Sequence, residues 1–317
     1  MPVTLVTLMT LQILLIVNSF ASSVTPRNTV LVHQHLARHH DVQVVETNER
    51  GHATRFAQDA AARGLDLVVA FGGDGTLNEV ATGLAGSSTV LAMLPGGSTN
   101  VFVRSLGLSN DPMVALAQIT KALDKGEIKS VSLGKANDRY FCFHAGVGYD
   151  AAVVEQVERR ASFKRLVGQP LFAYAALRTW FISYDRKFPH FTLDIDGRHI
   201  PNGFFAVVLN SNPYTFIGKH PVNLSASAGL DEKLVVVTFR KMSSLLMLRN
   251  LYGALRKEGI STSSGVDIHT DVESVTINFP APFPFQLDGD YLGETTNIDI
   301  RHCPNALRLV QPSFTDN

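Results

Sequence analysis

Two glycine-rich strings in this sequence carry the residue types and spacing for phosphate chemistry. The first, Gly72-Gly73-Asp74-Gly75-Thr76-Leu77-Asn78, follows the apolar run Leu67–Phe71. Glycines let backbone N–H groups approach a phosphate with no Cβ in the way. A helix opening at about Thr76 would add the positive end of its dipole. Asp74 is not itself a phosphate ligand. It either orients a Mg2+ ion through water or fixes the loop by accepting backbone hydrogen bonds. A lone Gly-Gly would read as an ordinary tight turn, whereas this longer string after a buried strand reads as a phosphate loop. The second string, Pro95-Gly96-Gly97-Ser98-Thr99-Asn100, ends the apolar run Val90–Leu94 and offers small hydroxyls that can donate to phosphate oxygens. Neither string has the lysine of a Walker-type P-loop.

The elements around these strings alternate. Leu11–Val17, Val42–Glu46, Leu65–Phe71 and Val90–Leu94 read as short buried strands. Helices are expected between them over Thr29–Arg38 and His52–Arg63, and after them over Asp111–Lys125, opened by an Asp-Pro cap. Such alternation implies a parallel sheet covered on both faces, with ligand loops at the carboxyl ends of its strands. From about Ser130 the texture changes to strand-like runs: Val131–Leu133, Tyr140–His144, Phe191–Ile195, Phe204–Leu209, Leu234–Phe239, Ser274–Phe279 and Phe285–Leu287. Only two clear helical stretches interrupt them, at about 162–183 and 243–257. Asp196-Gly197 is a hairpin signal between two such runs. The expected fold is therefore an α/β nucleotide-binding domain (residues 1–130) followed by a β-rich antiparallel sandwich (131–300). A C-terminal tail (301–317) is expected to return to the first domain.

Bulk properties bound the function. A chain of 317 residues exceeds the usual single core, consistent with two domains. Formal net charge is zero, which argues against a broad phosphate-backbone surface and so against a nucleic-acid partner. Cys142 and Cys303 have no metal-ligand spacing, and a reducing compartment is the simplest reading. Met1–Val17 is apolar but lacks the basic start of a secretory signal, the first basic residue being Arg27. Thr4, Thr7, Thr10 and Gln12 interrupt it and argue against a membrane span, so Leu11–Val17 is read as a strand behind a loose extension, with a cleaved signal as the alternative, and the expected location is cytoplasmic.

The motifs resemble a known family. Gly-Gly-Asp-Gly-Thr-Leu-Asn-Glu-Val, then Leu94-Pro95-Gly96-Gly97-Ser98-Thr99-Asn100, is similar to the diacylglycerol kinase catalytic domain, a family that includes bacterial lipid kinases and sphingosine kinases. The likeness continues through Gly146-Val147-Gly148-Tyr149-Asp150-Ala151, Asn210-Ser211-Asn212, Leu230-Asp231-Glu232-Lys233-Leu234 and Gln286-Leu287-Asp288-Gly289-Asp290. It covers about Leu11 to Leu309 in the family's order. The fold implied is of the NAD kinase/diacylglycerol kinase type.

The resemblance also implies roles. Gly72, Gly73, Asp74, Gly75, Thr76, Leu77 and Asn78 would hold ATP, joined by Thr47 after the second strand and by Ser98. Gly96 and Val101 depart from the leucine and aspartate common in the family. The family's general base is the last residue of Asp-Gly-Glu, which falls on Asp290, with Asp288 as the alternative; as plain sequence, Asp-Gly-Asp is also a hairpin turn. A structural Mg2+ site would use the Gly229 and Leu234 carbonyls and the Glu232 carboxylate, with Lys233 an unfavourable neighbour. His33, His35, His39 and His40 lack a completing ligand and read as a solvated face. Phe163, Leu166, Leu171, Phe172, Tyr174, Leu177, Trp180 and Phe181, with Lys164, Arg165 and Arg178, read as a core stripe. The alternative is a membrane-surface or lipid-entry face.

The implied activity is ATP-dependent phosphorylation of a lipid hydroxyl, such as that of diacylglycerol, at a peripheral membrane surface. The competing readings are a sphingoid-base kinase, an NAD kinase, and a non-catalytic lipid- or nucleotide-binding protein. An NAD kinase should also show a Thr-Gly-Ser-Thr-Ala-Tyr-like segment, which is absent from the sequence.

Overall fold

The computed structural model describes residues 10–159 and 169–313. The chain divides into two compact units, one running through Val131 and resuming at Ala306, the other spanning Ser132–Asn305.

The first unit alternates β1 (Gln12–Val17), α1 (Pro26–Leu36), β2 (Asp41–Glu46), α2 (His52–Ala62), β3 (Leu67–Gly72), α3 (Asp74–Leu84), β4 (Val90–Pro95), α4 (Val101–Ser105) and α5 (Pro112–Asp124). β3 and β4 are buried along their whole length, as strands covered on both faces must be. β2, with Asp41, Gln43 and Glu46, lies at the edge. β1 pairs in parallel with β2 and β3, and β3 with β4; beyond β4, Arg308 and Leu309 of the last strand pair in parallel with Val90 and Leu91.

Two helices begin earlier than their sequence suggests. α1 starts at Pro26, three residues before Thr29, because Thr25 caps it: the Thr25 side chain accepts from the Asn28 amide, and proline at the first position loses no helical donor. α3 starts at Asp74 rather than Thr76, with extended Gly73 as its cap. α5 is capped as its Asp-Pro pair implies, Asp111 accepting from the Met113 and Val114 amides.

The second unit contains β5 (Ile128–Ala136, which enters it from the first), β6 (Arg139–Phe141), β7 (His144–Val147), α6 (Tyr149–Glu158) and α7 (Gln169–Arg178). There follow a π-helical turn (Thr179–Ser183), β8 (Phe191–Ile195), β9 (Arg198–Gly203), β10 (Phe205–Leu209), β11 (Thr215–Ile217), β12 (His220–Val222), β13 (Leu234–Phe239), α8 (Ser244–Ala254), β14 (Val266–Val272), β15 (Ser274–Leu287) and β16 (Asp290–Val310). Antiparallel pairing runs β14–β13–β10–β7–β15–β16, with β8 attached to β15 and β9 to β8.

Where two strands were expected, over Ser274–Phe279 and Phe285–Leu287, one 14-residue strand is found. Pro280 and Pro282 interrupt its pairing without breaking its extension: Val275–Asn278 pair with β8, whereas Phe285–Leu287 pair with β7.

Period-two burial makes two cores. Ala206, Val208, Leu234 and Val236 join Leu193, Val275, Ile277 and Ile300 in one cluster, so strands of β7–β10–β13 and β8–β15–β16 share an interior. Phe205, Val207, Leu209, Val235, Val237 and Phe239 face the opposite way, onto Trp180, Met242, Ala254 and Ile260.

The aromatic stripe expected as core divides. Trp180 is buried, but Tyr174, Leu177 and Phe181 are 51%, 61% and 69% exposed. Phe163, Lys164, Arg165 and Leu166 lie outside the described residues. No described helix is long and apolar enough to cross a membrane.

Candidate functional site

In the first unit the two glycine strings become loops at the carboxyl ends of the adjacent strands β3 and β4, and they lock backbone to backbone. The Gly96 amide donates to the Gly72 carbonyl at 2.7 Å. A Cβ on Gly96 would stand 2.7 Å from the Gly72 Cα, and one on Gly97 would stand 2.9 Å from the Gly73 Cα. Contacts this short leave no room for a side chain. The glycines are thus needed for loop-to-loop packing as well as for any approach of phosphate. Gly96→Ala should therefore cost about 1–3 kcal/mol by overpacking. Urea denaturation measures this, and an unchanged midpoint would contradict the close approach.

Asp74 is the latch between the loops. Its carboxylate accepts from the Val101 amide (3.0 Å) and the Phe102 amide (3.2 Å), capping α4. Burial pushes its carboxyl up, against the opposing pull of those two amides and the charge of Arg104. Of the two roles open from sequence, loop fixation is the one with observed bonds. Asn100, at φ 49°, supports the same turn by accepting from the Gly97 amide at 2.8 Å and donating to the Gly97 carbonyl at 2.9 Å.

The remaining nucleotide-loop residues fall into two groups. Gly75 sits in the first turn of α3, where backbone N–H groups have no intrahelical acceptor. Ser98 is exposed in the second loop. The Thr76 hydroxyl accepts from Asn18 Nδ2 at 2.8 Å, tying in the loop after β1, and Thr47 is buried just beyond the end of β2. Leu77 and Asn78 are 4% and 1% exposed, so both side chains lie in the protein interior.

In the second unit Asp288-Gly289 forms the two-residue turn between β15 and β16. Both have positive φ (51° and 83°), and Leu287 pairs with Asp290. The two aspartates have different surroundings. Asp288 is 9% exposed, and its carboxylate accepts from the amides of Cys142 (2.6 Å), Phe143 (2.8 Å) and His144 (3.0 Å). Asp290 is a quarter exposed at its side chain and pairs with Arg139 Nη2 at 2.7 Å.

Behind the turn runs a buried polar chain. The Gly289 amide donates to Gln286 Oε1 at 2.8 Å, Gln286 Nε2 donates to Asp150 at 2.6 Å, and the Tyr214 hydroxyl donates to the other Asp150 oxygen. The Tyr214 ring packs against that of His144 with centroids 4.4 Å apart and the planes tilted by 36°.

Burial lowers the His144 pKa below its ordinary 6.5, with Asp150 opposing. Neutral His144 therefore contributes stability that is complete above the unfolded pKa, and this contribution is lost as pH falls from there toward the lowered folded value. Wild-type protein should lose more stability between about pH 7.5 and 5.5 than His144→Asn does. Parallel unfolding curves across that range would refute the assignment.

The expected Mg2+ donors lie at the turn entering β13. The Gly229 carbonyl already accepts from the Glu232 amide at 3.0 Å, Glu232 is exposed, and Lys233 turns to Glu273 at 2.7 Å. One carboxylate and two carbonyls are oxygen donors of the kind a hydrated Mg2+ takes, with water completing the set. Among the described residues no group of three His, Cys, Asp or Glu side chains gathers as a metal site, the His33–His40 cluster included.

Sequence reading missed the partners that act at long range. Arg139 and Asp290 are 151 residues apart, and neither carries a local signal for the other. Glu79 follows the first glycine string, and its carboxylate accepts from the Ala53 amide at 3.1 Å and so caps α2.

Comparison with known proteins shows what the chain is similar to. The model of the diacylglycerol kinase catalytic domain matches residues 12–157. A diacylglycerol kinase of Bacillus subtilis is 29% identical over 248 residues, 77% of this chain and 77% of that one. A probable lipid kinase, YegS-like, of Chromohalobacter salexigens is 29% identical over 283 residues, 86% of this chain and 85% of that one. The chain spans 66% of the length of an uncharacterized Synechocystis relative that is 23% identical. The crystal structure of a diacylglycerol kinase from Bacillus anthracis superposes with a TM-score of 0.74 at 23% identity, covering 95% of this chain and 96% of that one, which establishes the shared fold.

Proposed function

We propose, from the match of the diacylglycerol kinase catalytic-domain model to residues 12–157, that this chain is a lipid kinase that transfers the γ-phosphate of ATP to a lipid hydroxyl. The observation that carries the reading is the locked pair of glycine loops at the carboxyl edge of β3 and β4, with the first turn of α3 opening between them. Such an edge suits phosphate by backbone donors and a helix dipole, with no lysine required. The first-turn amides of α3 and the Ser98 hydroxyl would hold the nucleotide phosphates, and Asp74 would keep the loops in register. Mg2+ arriving with the nucleotide would neutralise phosphate charge.

In the second unit Asp290 is assigned as general base. As the lipid oxygen forms its bond to the γ-phosphorus and the bond to the ADP oxygen breaks, the hydroxyl proton passes to the Asp290 carboxylate. Arg139 would orient that carboxylate, and Asp288 would fix the turn that carries it. The finer assignment is diacylglycerol as acceptor, giving phosphatidic acid, in keeping with the names of the family and of the Bacillus subtilis relative. The enzyme would meet its substrate as a peripheral membrane protein.

Thermal unfolding tests the nucleotide half of the proposal. ATP with Mg2+ should raise the unfolding temperature of wild-type protein, by mass action on the folded state, and NAD should not. Stabilisation by NAD and not by lipid would overturn the lipid-kinase reading in favour of an NAD kinase.

A further inference from the structure

α8 exposes its apolar residues. Inward, Leu246, Met247 and Ala254 pack on the second core of their unit. Outward, Leu245, Leu248, Leu251 and Tyr252 are 80%, 64%, 52% and 63% exposed, and Leu255 at the C-cap is 51% exposed. At about 100° per residue these five share one continuous face. An apolar face of this kind on a soluble unit marks a surface that meets something.

The charges around the face say what it meets. Arg249 and Arg256 follow Leu245 along one edge of the same arc, and the Arg256 guanidinium lies 4.8 Å over the Tyr252 ring while donating to its hydroxyl at 2.9 Å. From Arg240 to Glu258 the chain carries Arg240, Lys241, Arg249, Arg256 and Lys257 against the single acid Glu258. Arg240 is paired with Asp267 at 3.2 Å. At the start of α8 a pocket of about 330 Å³ is lined by Arg186 and Lys241 together with Ser243, Ser264 and the Gly265 backbone, with no carboxylate in its wall. Phe181 and Ile182, about 70% exposed, precede the Arg186 loop.

We infer that the α8 face of the second unit docks on an anionic lipid bilayer. The helix lies in the interface with its leucines at the acyl boundary and its arginines among the headgroups, and the Arg186–Lys241 pocket receives a lipid phosphate. Apolar and basic residues on one face are the pattern of an interfacial helix. A second copy of this chain is disfavoured as occupant, because an isologous contact between two α8 faces would bring Arg249 and Arg256 of each copy to a helix that carries no carboxylate. The lipid-kinase reading supplies the purpose of the surface, while the surface itself rests on exposure and charge alone.

Sedimentation of the full chain with phosphatidylcholine vesicles, with and without phosphatidylglycerol, tests the inference. Wild-type protein should bind the anionic vesicles, bind the neutral ones weakly, and lose binding as salt rises. Leu245→Glu/Leu248→Glu should abolish binding, and Arg249→Gln/Arg256→Gln should weaken it about 10–30-fold, since each cation near an anionic surface contributes roughly fivefold. Both variants should keep the wild-type circular dichroism and urea midpoint, because the altered side chains are exposed. Phosphoryl transfer to lipid presented in detergent micelles should be unchanged in both. Equal vesicle binding by wild type and the leucine variant would overturn the inference, as would concentration-dependent self-association that the leucine variant abolishes. Vesicle binding as described, with no phosphoryl transfer by wild type in micelles, would uphold the docking face and refute the kinase reading instead.

Discussion

Asp290→Asn is expected to lower lipid phosphorylation by about 10²–10⁴-fold, the usual contribution of a positioned proton acceptor, while ATP binding persists. The substitution keeps the size of the side chain and one oxygen able to accept from Arg139, whose Nη2 lies 2.7 Å from the carboxylate. It removes the carboxylate charge that pairs with Arg139 and, with it, the capacity to take a proton. The resemblance implies a glutamate at the place of Asp290, one methylene longer, so Asp290→Glu should stay active. Turnover should be read at saturating ATP, where a loss in kcat without a change in nucleotide affinity places the defect in the chemical step. A wild-type rate in Asp290→Asn would remove this residue from the mechanism.

Asp288→Ala is expected to act on stability. Three backbone N–H groups, those of Cys142, Phe143 and His144, converge on the Asp288 carboxylate within 3.0 Å in a site that is 9% exposed. Each buried donor left without an acceptor costs about 1–3 kcal/mol. Partial rescue by water brings the expected total to about 3–5 kcal/mol, at the upper end of what single substitutions do. Asp288→Asn keeps one acceptor oxygen and should fall between alanine and wild type. Urea unfolding curves distinguish the three. A loss below about 1 kcal/mol for Asp288→Ala would mean that the carboxylate is not the anchor of the segment entering β7. The two aspartates of one turn are thus separable: changing the first should destabilise the fold, and changing the second should disable.

Much of the first unit was legible because its signals are local. The apolar runs of β1, β3 and β4 are buried on both faces and read as continuous strands, and Asp111-Pro112 announced α5. The glycine strings were legible as loops, but not the reason for their number, since Gly96 meets Gly72 only after two strands pair. The start of α1 was missed although Thr25-Pro26 is a good cap, because the polar, histidine-rich helix that follows has little apolar period to mark its beginning.

In the second unit the hairpin was visible as Asp-Gly-Asp, yet the division of labour between Asp288 and Asp290 was not. It depends on amides 144–146 residues away and on an arginine 151 residues away. β15 was split in two by its prolines, which interrupt hydrogen bonding but leave the backbone extended. The exposed leucines of α8 were equally hidden, because a leucine turned outward and one turned inward are the same letter.

The central claim is phosphoryl transfer from ATP to a lipid, and the direct measurement follows labelled γ-phosphate from ATP into a panel of lipids dispersed in detergent micelles. A labelled product that partitions into chloroform, formed from diacylglycerol and absent without Mg2+, is the predicted result. Label that stays in water-soluble products, or no transfer to any lipid by folded protein that binds ATP, would contradict the account.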